Sequence, residues 1–227
     1  LVAEVTGRSR RIVRKGEEHA ARLVVESRAG SANLSETAAF MDDQKRILIF
    51  SDAGGTGRSY HAELSARNQR LRVHYLLEPG WKADAAIQGL GRTNRTNQAQ
   101  PPLFRPVATD VKAEKRFMST IARRLDTLGA ITRGQRQTGG QGLFRPEDNL
   151  ESPYARDALR QLYRRLYRGD VAGCSLMAFE DATGLNLTDE TGLKDDLPPI
   201  RTFLNRLVGL TIHMQGILFN AFKEHMA

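Results

Sequence analysis

The sequence has one cysteine, Cys174, in 227 residues. A single thiol cannot close an internal disulfide, and it fits a reducing compartment. No apolar run reaches the length of a membrane-spanning helix, so no membrane partner is expected. No signal peptide is visible, and Leu1 as the first residue suggests a chain cut from something longer. Acids are the scarcer charge, 26 against 34 Lys and Arg, giving a net charge of +8 and a pI near 10.0. A basic balance of this size points to a polyanionic partner, most simply nucleic acid, although solubility charge alone would look the same. His61 and His74 are isolated and make no ligand spacing, so no metal site is expected.

The segment 84–98, DAAIQGLGRTNRTNQ, organises the rest. If it is helical, Gln88, Arg92 and Arg95 at i, i+4 and i+7 share one face. An arginine fork suits phosphate oxygens and stays charged. Gly89 and Gly91 leave room for a large ligand or another backbone. Two readings stay open here: a clamp for a triphosphate, or a solvated basic helix end.

Upstream, residues 1–7 read as a short buried strand, and the cations Arg8, Arg10, Arg11, Arg14 and Lys15 as a loop. Ser35 is the expected cap of a short helix. Ile47–Phe50 is a continuous apolar run, which fits a strand covered on both faces in a parallel sheet. A glycine-rich turn follows at SDAGGTGRSYHA, with a helix start expected near Ser59. It lacks the Lys-Ser/Thr pair of a P-loop. Residues 72–77 are the next buried strand. Leu103–Thr109 is a final strand broken by Pro106, at an edge or a bend. Asp110–Leu128 is the clearest helix, with Phe117, Ile121, Leu125 and Leu128 on its stripe and Gly129 ending it.

AGGTG, Trp81 and QGLGRTNRTNQ, in this order, resemble motifs V and VI of superfamily-two helicases of the Swi/Snf type. The closer resemblance is to the strawberry notch family. It is carried by TGR at 6–8, AFM at 39–41, IFSDAGGTGRSYHA at 49–62, RVHYLLEPGWKADAAIQGLGRTNRTNQ at 72–98, RFMSTIARRLDTLGAIT at 116–132 and FLNRLVGL at 203–210. The resemblance implies that Arg92 and Arg95 reach ATP phosphates as catalytic arginines, the outer one as a finger. Gln88 and Gly57 join them in cofactor binding, and Thr56, Gly57 and Arg58 touch nucleic acid, with DNA favoured over RNA. Asp52 and Asn94 stand where the family more often has glutamate and histidine, and neither change removes a phosphate ligand.

No GxxxxGK[ST] and no DEAD-like acid pair occurs in the sequence, and Asp42-Asp43 and Asp195-Asp196 read as solvated turns. ATP and Mg²⁺ would therefore be shared with a P-loop lobe, the first RecA-like lobe of a parent protein, and this chain alone would bind neither and would not hydrolyse ATP. The resulting expectation is an α/β fold. A RecA-like parallel sheet flanked by helices, with or without its first strand, fills residues 1–135. A linker follows at 136–149 and a helical extension at 150–227. In that extension Arg156, Arg160, Arg164 and Arg168 form a basic stripe beside an apolar one. The implied location is cytoplasmic for a bacterial or phage protein and nuclear for a eukaryotic one. A scaffold module that binds partners without catalysis, or a phage or plasmid anti-restriction component, are the rival readings.

Overall fold

The computed structural model describes residues 1–17, 19–52, 57–131 and 148–226. Gly54, Gly55 and Thr56, and most of the expected linker 136–149, lie outside the described residues. The fold is α/β and RecA-like, with parallel strand pairs and flanking helices. It divides into two compact units. One comprises residues 1–74 and 87–104, the other residues 75–86 and 105–227.

In the first unit, β1 (Val2–Val5) runs parallel to β4 (Ile47–Phe50), with Val2 opposite Ile47 and Val5 opposite Phe50. A parallel pair needs a crossover, and α1 (Ala32–Met41) supplies it. Its Phe40 packs with Ala3, Val5 and Tyr60 into a small core that Met41, Leu48 and Phe50 complete. The helix begins one turn earlier than Ser35, after Ser31. Coverage of β4 on both faces is not found: Ile47 and Ile49 are 57% and 54% exposed.

The cationic stretch after β1 is a strand rather than a loop. β2 (Arg10–Lys15) and β3 (Arg22–Ser27) form an antiparallel hairpin. Charge predicts exposure, not conformation; Ile12 and Val13 pair with Val25 and Val24, and β-branched side chains favour the extended backbone. Gly16, with φ +112°, makes the turn possible, because a Cβ there would lie 2.9 Å from the Ala20 carbonyl oxygen.

The segment after residue 57 holds no helix near Ser59. It is fixed instead by Arg72, whose buried guanidinium donates to the carbonyls of Tyr60 (2.7 Å), His61 (3.2 Å) and Asn68 (2.7 Å). The same group stacks over Phe40, 4.9 Å from the ring centroid. β5 (Val73–Leu76) pairs with β6 (Leu103–Pro106), which stops at the proline expected to break it. β5 is covered on one face only: His74 is buried while Val73 and Tyr75 are exposed. α2 (Ala83–Gly91) ends at Gly91.

The second unit is mostly helical. After a 3₁₀ turn at Lys112–Glu114, α3 (Lys115–Ile131) runs past Gly129, which therefore does not end it. Trp81 packs edge-on against Phe117 at 4.8 Å, with the Arg116 guanidinium over the indole. α4 (Pro153–Arg168) has a Ser152 cap bonded to the Ala155 amide, a proline in its first turn and left-handed Gly169 at its end. The residues between Cys174 and Phe179 open α5 (Leu176–Thr183). With α6 (Ile200–Leu207) and α7 (Ile212–Lys223) these helices enclose Leu162, Tyr163, Phe179, Phe203, Leu218 and Phe222. Among the described residues no helix is long and apolar enough to cross a membrane.

Candidate functional site

Because α2 ends at Gly91, the three polar residues expected on one helical face do not share one. Gln88 is on the helix and exposed, Arg92 is in the turn that leaves it, and Arg95 lies beyond that turn, exposed. The departing chain is held from two sides. The Tyr60 amide donates to the Arg92 carbonyl at 2.6 Å, and the Ala99 amide donates to the Ala62 carbonyl at 2.7 Å. Thr93 caps the turn, its hydroxyl donating to the Leu90 carbonyl at 3.1 Å. That hydroxyl also lies 2.8 Å from Nδ1 of His74. Asn97 takes the left-handed conformation at φ 60°, and the Gln98 amide bonds Asn94 while its carbonyl oxygen accepts from the Arg95 amide.

Arg92 is buried, with 8% of its surface exposed. One terminal nitrogen reaches the Arg58 carbonyl at 3.4 Å, and its Nε has no hydrogen-bond partner. No carboxylate pairs with it among the described residues. A buried guanidinium without a counter-ion carries a desolvation cost that an anion would remove. The contact with Arg58 joins the glycine-rich turn to the arginine turn across 34 positions of sequence.

Arg58 itself is engaged. Its Nη1 donates to the Asn33 carbonyl at 2.9 Å and to the Thr37 hydroxyl at 3.3 Å, both on α1. Gly57 stands exposed at φ +74° with nothing within 4 Å of a Cβ, so conformation, not crowding, calls for glycine there. Thr56 lies outside the described residues. Arg95 and Gln88 have no side-chain partner among the described residues. Gly57, Arg58 and Arg92 are thus adjacent, whereas Gln88 and Arg95 are not tied to them by any bond.

Behind the turn is a layer of rings. Phe50 lies 5.0 Å from Tyr60 and 5.5 Å from His74, and His74 lies 5.6 Å from Phe104. Burial holds the His74 pKa down to about 4, so the ring is neutral at physiological pH. Burial lowers His61 in the same direction and raises the Tyr60 hydroxyl, against which the charges of Arg92 and Arg58 act. The His74–Thr93 pair and Tyr60 were not singled out as site residues by sequence reasoning. The only available signal was Thr93 itself, between two arginines.

The donor set suits phosphate oxygens. It does not suit a divalent metal: among the described residues no cluster of acids, histidines or cysteines could hold an ion. Nor is Asp43 such a ligand. In its solvent-facing turn it takes a two-pronged bond from Arg70, Nε to Oδ1 at 2.9 Å and Nη2 to Oδ2 at 2.9 Å.

The family described as the C-terminal domain on Strawberry notch homologue matches residues 1–227. The protein FORGETTER 1 of Arabidopsis thaliana is 34% identical over 98% of this chain and 20% of its own length. The strawberry notch homolog 1 of Homo sapiens is 34% identical over 98% of this chain and 17% of its own length. The strawberry notch protein of Drosophila melanogaster is 34% identical over 99% of this chain and 15% of its own length. The chain thus spans a fifth or less of the length of these relatives. No solved structure matches the chain.

Proposed function

The chain belongs to the strawberry notch family as its helicase-like C-terminal domain, and on that premise we propose that it is the second lobe of an ATP-dependent nucleic-acid translocase of superfamily two. ATP, bound against a separate P-loop lobe that also holds Mg²⁺, would supply the energy of phosphate release. Arg92 and Arg95 would bind and orient the phosphates, and Arg95, exposed and unpaired among the described residues, serves as the outer finger. Gly57 and Arg58 belong to the turn that follows a nucleic-acid strand, DNA in preference to RNA.

The observation that carries this reading is Arg92: a buried cation whose Nε has no partner, bonded through Arg58 to the second candidate motif. Arg72, whose role is structural, is satisfied by four carbonyls and an amide oxygen. Arg92 is not.

The test is nucleic-acid-stimulated ATPase of the protein that unites this chain with its P-loop lobe. Arginine fingers contribute on the order of 10³–10⁵ in rate, so Arg95→Ala is expected to abolish measurable stimulated turnover. Turnover equal to wild type in both Arg92→Ala and Arg95→Ala would remove the motor reading and leave the non-catalytic scaffold.

A further inference from the structure

The β2–β3 hairpin sorts its side chains by face. Alternation along the strands places Arg10, Ile12 and Arg14 on one face, opposite Ser27, Val25 and Leu23. The other face carries Arg11, Val13 and Lys15 opposite Glu26, Val24 and Arg22. On that second face Glu26 takes both Arg11 at 3.0 Å and Lys15 at 3.2 Å. The first face has no acid and no ion pair among the described residues. Its Ile12, Leu23 and Val25 are 68%, 75% and 64% exposed.

We propose that the Arg10–Ile12–Arg14 face of this hairpin binds a single strand of nucleic acid, with Arg10 and Arg14 on phosphates and Ile12, Leu23 and Val25 against bases. The proposal rests on the nucleic-acid reading above and adds a contact surface outside the two motifs. Three features favour this occupant. The two arginines lie on one extended strand about 13 Å apart, a spacing that can follow a backbone of repeating charge. Aliphatic side chains between them give the apolar surface that proteins place against or between bases. The local acid that would compete for the arginines is already neutralised on the opposite face.

The hairpin is also held at its root. The buried Arg28 guanidinium, just past β3, donates to the Glu4 carbonyl at 2.7 Å, the Arg8 carbonyl at 3.0 Å and the Asn33 side chain at 3.0 Å. The Arg28 amide bonds the Ser9 carbonyl at 2.8 Å. A surface presented this firmly loses little conformational entropy on binding.

The experiment measures binding of the 227-residue chain to a fluorescein-labelled oligothymidylate by anisotropy across a salt series. Arg10→Ala with Arg14→Ala is expected to weaken binding about tenfold. It should also flatten the dependence of log affinity on log salt by about 1.4, two phosphate contacts at roughly 0.7 each. Ile12→Thr with Val25→Thr keeps strand-forming residues and is expected to weaken binding severalfold with the salt slope unchanged. Arg11→Ala with Lys15→Ala, on the opposite face, is expected to stay within twofold of wild type. Equal losses on the two faces would reduce the effect to net charge and overturn the proposal. Wild-type affinity in the Arg10/Arg14 and Ile12/Val25 variants would overturn it too and assign the face to a protein partner, leaving the helicase-lobe reading in place. Absence of any salt-dependent binding by the wild-type chain would sink the hairpin proposal together with the nucleic-acid reading beneath it.

Discussion

Nδ1 of His74 lies 2.8 Å from the hydroxyl of Thr93, so a buried ring on β5 holds the residue next to Arg92. The hydroxyl donates to Leu90, and its lone pairs face the ring. The imidazole hydrogen then sits on Nδ1 and the pair is satisfied without charge.

Thr93→Val keeps the shape and removes both bonds. Leaving His74 without its partner is expected to cost about 1–3 kcal/mol, read as a lower denaturation midpoint in urea with an unchanged slope.

Acid should act through the same histidine. Its pKa is held at about 4 in the folded chain against 6.5 for the unperturbed group. Between those values the unfolded chain binds the extra proton. Stability is therefore full above pH 6.5 and falls as the pH drops from 6.5 to 4, by about 3 kcal/mol in all. His61 is shifted in the same direction and deepens the loss. His74→Phe should flatten this part of the profile, measured as unfolding free energy against pH.

Arg92 offers a test that separates function from stability. A buried guanidinium lacking a counter-ion costs the free chain, and an apolar side chain of similar length does not. Arg92→Met is expected to leave the isolated chain as stable as wild type or more stable by about 1 kcal/mol, while lowering the nucleic-acid-stimulated ATPase of the protein that unites it with its P-loop lobe. Thermal unfolding of the chain checks the first half, and ATPase of the two-lobe protein checks the second.

Arg72 should behave in the opposite way. Its guanidinium serves the carbonyls of Tyr60, His61, Asn68 and Arg70. Arg72→Met strands several buried acceptors, and a loss of about 3 kcal/mol or more is expected. The same substitution at two buried arginines thus gives opposite signs.

At Gly57 a Cβ meets nothing, but φ is +74°. Gly57→Ala is expected to cost about 1 kcal/mol from backbone strain alone, and Gly57→Asn less, since asparagine tolerates that region. Calorimetric unfolding of the two variants distinguishes strain from a steric clash, which would penalise the larger asparagine more.

Much of this protein was written in local residue order. The α/β class and the apolar stripe of α4 follow from spacing and short-range chemistry, which a linear reading captures. The hairpin was missed because its five cations spoke of solvent while its valines and isoleucine, paired across a turn, set the conformation. The end of α2 was missed because the chain leaving it is held by the Tyr60 amide, which arrives from a distant stretch of sequence, as well as by the local bond of Thr93 to Leu90. Whether an arginine is a staple or a ligand is likewise decided by which carbonyls surround it. Arg72 and Arg92 look alike in sequence, and only the fold gives one a full set of acceptors and leaves the other with a bare Nε.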